Sequence, residues 1–266
     1  MSKGYVMMAS GKDYVKQAYL CALSIKKTQE INSVSIITND KLPDEYRNVF
    51  DNVIAIPWQS GTDFYRTEDR WKIFHVTPYT ETIVLDTDMI FLSNIDHVWT
   101  YLEKYDVCFT TNVQTYKGTI VKDNYYRQAF IKNNLPNVYC AFHYFKKNDI
   151  GLQYYKHLEL VCKNHEEFYN IYLKKLKPRL SSMDINHAIA VLNTNLEKYS
   201  CNLLSFTHMK SKVQDWSNPS DNWLDDIPYY MDDECNLKIG NYSQLGVFHY
   251  TEDKFCNQIM EKYNVC

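Results

Sequence analysis

The stretch ETIVLDTDMIFLSNID, residues 81–96, decides how this chain is read. Ile83, Val84 and Leu85 make a short apolar run of the kind that forms a buried strand. Asp86 and Asp88 follow, with Thr87 between them, and Met89, Ile90, Phe91 and Leu92 return to apolar character. In extended backbone, residues two apart point to the same side. Two carboxylates held that way repel each other unless a cation or a shared proton relieves them. A hard divalent cation with oxygen ligands does so, and in open α/β sheets ligands bind beyond the carboxyl ends of strands. In the other reading one acid caps a turn and its neighbour is solvated. Residue types alone leave both open.

Working outward, the pattern alternates short apolar runs with helical periodicity. GYVMMAS (4–10) reads as a buried strand and DYVKQAYLCALSIKK (13–27) as a helix, with Asp13 placed to cap it. SVSIITND (33–40) and NVIAIP (52–57) read as further strands, and EDRWKIFHV (68–76) as a helix before Pro78. DVCFTTNV (106–113), VYCAFHYFKK (138–147), CNLLSF (201–206) and QLGVFHY (244–250) are later strand candidates. Helices are expected over 149–163, 166–176 and 182–193. Strands separated by helices predict βαβ units, and hence an α/β fold with a single, mostly parallel sheet flanked by helices. Residues 207–240 read as a long surface excursion. With no repeat, Gly/Ser linker or low-complexity tract, one domain over 1–266 is the economical expectation.

Composition narrows the function. Of 266 residues, 45% are hydrophobic and 23% charged, as in soluble globular proteins. A net charge of -3 gives no general affinity for nucleic acid. No apolar run approaches the ~18 residues of a membrane span. The eight cysteines include no C-x-x-C pair and match no zinc spacing. The chain opens on Met-Ser-Lys-Gly without a charged and then apolar leader, so reduced thiols and a cytoplasmic location are expected.

TIVLDTDMIFLSNIDHVW resembles the D-x-D segment of glycosyltransferase family 8, the glycogenin-like and bacterial galactosyltransferase enzymes, with Asn94, Ile95, Asp96 and Trp99 fitting its tail. YVMMASGKDYVKQAYLCALSIKKT is similar to the first strand, loop and helix of that family, which cradle uridine. The resemblance implies a GT-A type fold: a Rossmann-like mixed sheet, with 1–113 as the nucleotide half and 114–266 as the sugar and acceptor half. It places Ala9, Ser10, Tyr14 and Thr87 at the donor nucleotide and Arg70, sixteen residues before Asp86, at the donor as well. GVFHYTEDKF resembles the strand that carries a histidine metal ligand and then a phosphate-binding lysine, roles that fall to His249 and Lys254. Asp184 falls near an acid that lines the sugar pocket. The sugar-side motifs depart more: Tyr139-Cys140-Ala141 stands at the family's Asn-Ser-Gly turn, and Ile185 follows Asp184 where the family has Gln.

The activity implied is a metal-dependent transfer of a hexose from a UDP-sugar to an acceptor hydroxyl, with retention. Asp86, Asp88 and His249 would hold Mn²⁺, with Mg²⁺ as a substitute. Arg70 and Lys254 would add positive charge at the phosphates. Asp184, with Arg70, is the candidate catalytic residue; it would orient the acceptor or stabilise a developing cation, or else merely cap the helix that follows. His75, His143 and His187 read as structural or surface residues. The acidic, aromatic stretch 214–234 reads as a solvated loop or a lid over the acceptor. Two other classes remain: a phosphatase of the haloacid dehalogenase type, and a protein that binds nucleotide or carbohydrate without turnover.

Overall fold

The computed structural model describes residues 2–58, 67–121, 127–214, 220 and 222–265. The strands are β1 (Lys3–Met8), β2 (Val34–Ile37), β3 (Asn52–Ile54), β4 (Glu81–Leu85), β5 (Met89–Phe91), β6 (Val107–Gln114), β7 (Ile120–Val121), β8 (Tyr139–Lys146), β9 (Ser200–His208), β10 (Tyr229–Met231), β11 (Leu237–Ile239), β12 (Tyr242–Ser243) and β13 (Val247–His249). The main sheet runs β3-β2-β1-β4-β8-β6-β9-β13-β5, with β7 beside β6. β3, β2, β1 and β4 are mutually parallel, as are β6, β9 and β13. β8 is antiparallel to both β4 and β6, and β5 is antiparallel to β13. The sheet is therefore mixed and mostly parallel.

The central strands are buried on both faces, which is why their sequences are continuously apolar rather than alternating. Tyr5 and Met7 of β1 join one core with Ile83 and Leu85 of β4, while Val6, Met8 and Val84 point into the other. The first core is covered by helix Lys12–Thr28, through Val15, Leu20 and Ile25, and by helix Asp253–Val265, through Phe255 and Ile259. The second is covered by helix Asp149–Lys163, through Tyr154 and Leu158, and helix Met183–Asn193, through Ile185 and Ile189. Gly11 makes the turn from β1 into the first helix at φ 99, a conformation that favours glycine, and its N–H donates to Asp40 Oδ2 at 2.7 Å.

Some local expectations change. The span 68–76 is a 3-10 turn, Thr67–Lys72, followed by a short helix, Ile73–Val76. The predicted excursion 207–240 is not simply surface. β9 continues to His208, β10–β12 form a second small sheet, and Leu237 and Ile239 are buried. Trp223 is fully buried, packs on Phe255 and Phe248, and donates its indole N–H to the Tyr250 carbonyl at 2.7 Å. It is therefore core and does not serve as a stacking face for an acceptor. Residues 215–219 and 221, which include Trp216, lie outside the described residues.

Candidate active site

The D-x-D pair sits where the chain leaves one part of the sheet and joins another. β4 ends at Leu85, and the Asp86 N–H donates to the Ala141 carbonyl at 2.8 Å. The chain turns through Asp86–Asp88 and enters β5, which pairs with β13 rather than with β4. That pairing sets His249 opposite Met89, the residue after Asp88, and the Tyr250 N–H donates to the Asp88 carbonyl at 3.1 Å. A histidine some 160 residues distant thus arrives beside the carboxylates by strand register.

His249 Nε2 lies 2.9 Å from Asp88 Oδ2, and an Arg70 Nη lies 2.5 Å from Asp86 Oδ1. One ligand atom each of Asp86, Asp88 and His249 falls within 4.8 Å of the other two. Two carboxylate oxygens and an imidazole nitrogen fit a first-row divalent ion. Burial disfavours the charged form of His249, yet the Asp88 carboxylate overrides it and raises the imidazole above its ordinary pKa. Burial likewise works against the Asp88 carboxylate, while His249 and then Arg70 hold it below the usual range. His208, the β9 residue in register with His249, stacks on it with ring centroids 4.6 Å apart at 9°. Burial and the neighbouring imidazole both push His208 well down, so it is neutral.

A cavity of about 540 Å³ lies over these groups. Its charged lining is Arg70, Lys210 and Lys212 against Asp86, Asp88, Asp184 and Glu252. Tyr139, Cys140 and Ala141 line the same cavity. Asp184 does so too, but its carboxylate is engaged: Oδ2 accepts from Arg127 Nη1 at 2.7 Å and Oδ1 from the Cys140 N–H at 2.8 Å. Ser182 is the N-cap of the following helix, and these two bonds of Asp184 run across to other elements. Arg127 is almost wholly buried, held between the rings of Phe130 and Tyr139 and donating to Asn137 Oδ1 and the Val138 carbonyl, both at 2.6 Å.

The structure brings together Arg70, Asp86, Asp88, Asp184 and His249. Ala9, Ser10, Tyr14, Thr87 and Lys254 are not among the residues lining this cavity. Ala9 is buried, Ser10 is half-buried and Tyr14 is exposed on the first turn of its helix. Thr87 turns inward, its hydroxyl donating to Gln17 Oε1 at 2.9 Å. Lys254 is exposed on the first turn of helix Asp253–Val265. The lysine that sequence reading missed is Lys210, half-buried just past the end of β9, its ammonium held below its ordinary pKa chiefly by burial, with Asp184 and Asp88 opposing that shift. Its signal lay in HMKSK (208–212), a basic pair at the end of a strand. Arg127 and His208 were missed as well. His143 and His187 are core residues, bonded to Tyr155 and Tyr154 respectively.

No protein-family profile and no curated protein sequence matches the chain. Solved structures do. The galactosyltransferase LgtC, crystallised with donor and acceptor sugar analogs, aligns over 98% of this chain and 95% of its own at 12% identity, with a TM-score of 0.54. The chain has the GT-A glycosyltransferase fold. Looser alignments reach the glycosyltransferase GlyE of Streptococcus pneumoniae TIGR4 (16% identity, 75% of this chain, TM-score 0.44) and mouse xyloside xylosyltransferase 1 (11% identity, 73% of this chain and 82% of that one, TM-score 0.46). The chain spans 45% of GlyE. The fold gives no support to the haloacid dehalogenase alternative.

Proposed function

We propose that the chain transfers a hexose from a UDP-sugar to an acceptor hydroxyl, with retention, at a divalent-metal site made by Asp86, Asp88 and His249. The observation that carries this reading is the convergence of those three ligand atoms within 4.8 Å, beside Arg70, in a GT-A fold. A divalent ion bound there would supply Lewis-acid stabilisation of the diphosphate leaving group. Mn²⁺ suits the mixed donor set, with Mg²⁺ as a weaker substitute.

The chain's own groups divide the remaining work. Arg70, held by Asp86, places a guanidinium at the cavity wall to meet the phosphates. Lys210 takes the phosphate role that the sequence resemblance gave to Lys254, because Lys210 lines the cavity. Losing one such donor costs on the order of 2.7–4 kcal/mol of barrier. Asp184, with Arg127 and the Cys140 amide, fixes the wall where the sugar and acceptor meet. The cytoplasmic assignment and the single-domain reading form part of this proposal.

A panel of nucleotide sugars with Mn²⁺, assayed for slow release of nucleoside diphosphate, tests the proposal. Release from a UDP-sugar that chelator abolishes is expected. Binding of UDP with Mn²⁺ but no release from any donor would favour the non-catalytic alternative.

A further inference from the structure

The segment FYNIYLKKLKPRLSS, residues 168–182, holds Lys174, Lys175, Lys177 and Arg179 and no acid, in a chain whose net charge is -3. All four cations are exposed, as is Lys132 on the adjoining helix Gln128–Asn133. Among the described residues none of the five forms an ion pair. Large apolar side chains stand between them. Leu180 is 81% exposed, Ile171 60%, Ile131 44% and Leu176 39%. Scattered single apolar residues on a surface need no explanation, but four in one neighbourhood with five cations form a patch.

The patch has a defined shape. Leu173 is buried and anchors its start. Asn133 clamps its middle, donating from Nδ2 to the Leu176 carbonyl and accepting from the Lys175 N–H, both at 2.9 Å. Those two bonds bring Ile131 and Lys132 alongside the 174–180 stretch. Lys174 and Lys177 both reach Asn170, at 2.7 Å each, so their stems lie over the same helix end.

We propose that this face docks on the surface of an anionic lipid bilayer. Cations alone would suit any polyanion. The interleaved leucine and isoleucine side chains gain only in an apolar phase, and basic residues set among apolar ones are what an interfacial membrane contact requires. Each Lys or Arg held near such a surface strengthens binding by roughly five-fold. Ser182, two residues past Leu180, lines the catalytic cavity, so the docked face leads directly into the cavity wall. This inference stands on the patch and not on the transferase reading.

The full chain is tested by co-sedimentation with vesicles of phosphatidylcholine alone and of phosphatidylcholine with phosphatidylglycerol. Binding is expected only to the anionic vesicles and weakens with salt. K174Q/K175Q/K177Q lowers that binding by on the order of 100-fold. L176S/L180S, at unchanged charge, also weakens it while leaving retention on a heparin column as in wild type. Circular dichroism of both variants should match wild type, since every substituted residue is exposed. Equal binding to neutral and anionic vesicles, or no binding, overturns the proposal. So does wild-type vesicle binding by the leucine variant, which would mark the patch as a generic polyanion site.

Discussion

The Arg127–Asp184 pair makes a prediction whose size follows from its surroundings. Arg127→Met removes a guanidinium whose side chain is 2% exposed and which donates to Asp184, Asn137 and the Val138 carbonyl. The Asp184 carboxylate then keeps only the Cys140 N–H of those two bonds, in a site where its side chain is 13% exposed. Breaking a buried pair by removing one partner costs about 3–5 kcal/mol. Water reaches Asp184 through the cavity, which places the cost near the lower end. At about 2–4 °C per kcal/mol for a chain of this size, the melting temperature should fall by roughly 6–12 °C. Asp184→Asn strands the arginine instead and should also destabilise. The double variant leaves neither charge buried, so it should be less destabilised than the two single effects added, with a coupling of about 0.5–3 kcal/mol. Urea denaturation of wild type, both single variants and the double variant measures every term. An Arg127→Met loss below about 1 kcal/mol, the range of an exposed ion pair, would refute the reasoning and return Asp184 to the status of an available acid.

Further outcomes follow from the same geometry. Lys210→Gln should weaken binding of UDP with Mn²⁺ at least tenfold by titration calorimetry while Lys254→Gln leaves it within about twofold; the reverse order would restore the lysine of the sequence resemblance. In chelated protein the raised His249 pKa contributes stability that is fully present below its ordinary value of 6.5 and is lost as pH rises through the folded value. The lowered Asp88 contributes stability present above 3.8 and lost as pH falls through its folded value. Metal needs the neutral imidazole, so Mn²⁺ affinity should rise with pH over the range in which metal-free stability falls. Melting curves with and without Mn²⁺ across that range check the crossing, and parallel curves would contradict it.

Much of the sheet was legible because its central strands are apolar on both faces, and ETIVL and GYVMM have little choice but to be buried. The metal seat was legible because a carboxylate pair within an apolar run demands a reason. β5 was harder. Three residues, Met89–Phe91, form a strand only because β13 arrives beside them, and no local pattern announces that pairing. Residues 207–240 misled because their acids suggest solvent, whereas Trp223, Leu237 and Ile239 are core. Lys210 and Arg127 act through tertiary position alone. A lysine in HMKSK and an arginine in YYRQAF carry no spacing that separates them from solvated cations, and only the fold carries one into the cavity and buries the other beneath it. The lysine chosen from sequence, Lys254, sits exposed on the first turn of helix Asp253–Val265.

The central claim is that Asp86, Asp88 and His249 form one divalent-metal site. Titration of Mn²⁺ into chelator-stripped protein, followed by loss of the free-ion electron paramagnetic resonance signal, tests it directly. One ion per chain is predicted for wild type, with affinity falling at least tenfold in Asp88→Asn and in His249→Ala alike. Equal Mn²⁺ uptake by wild type and both variants would contradict it.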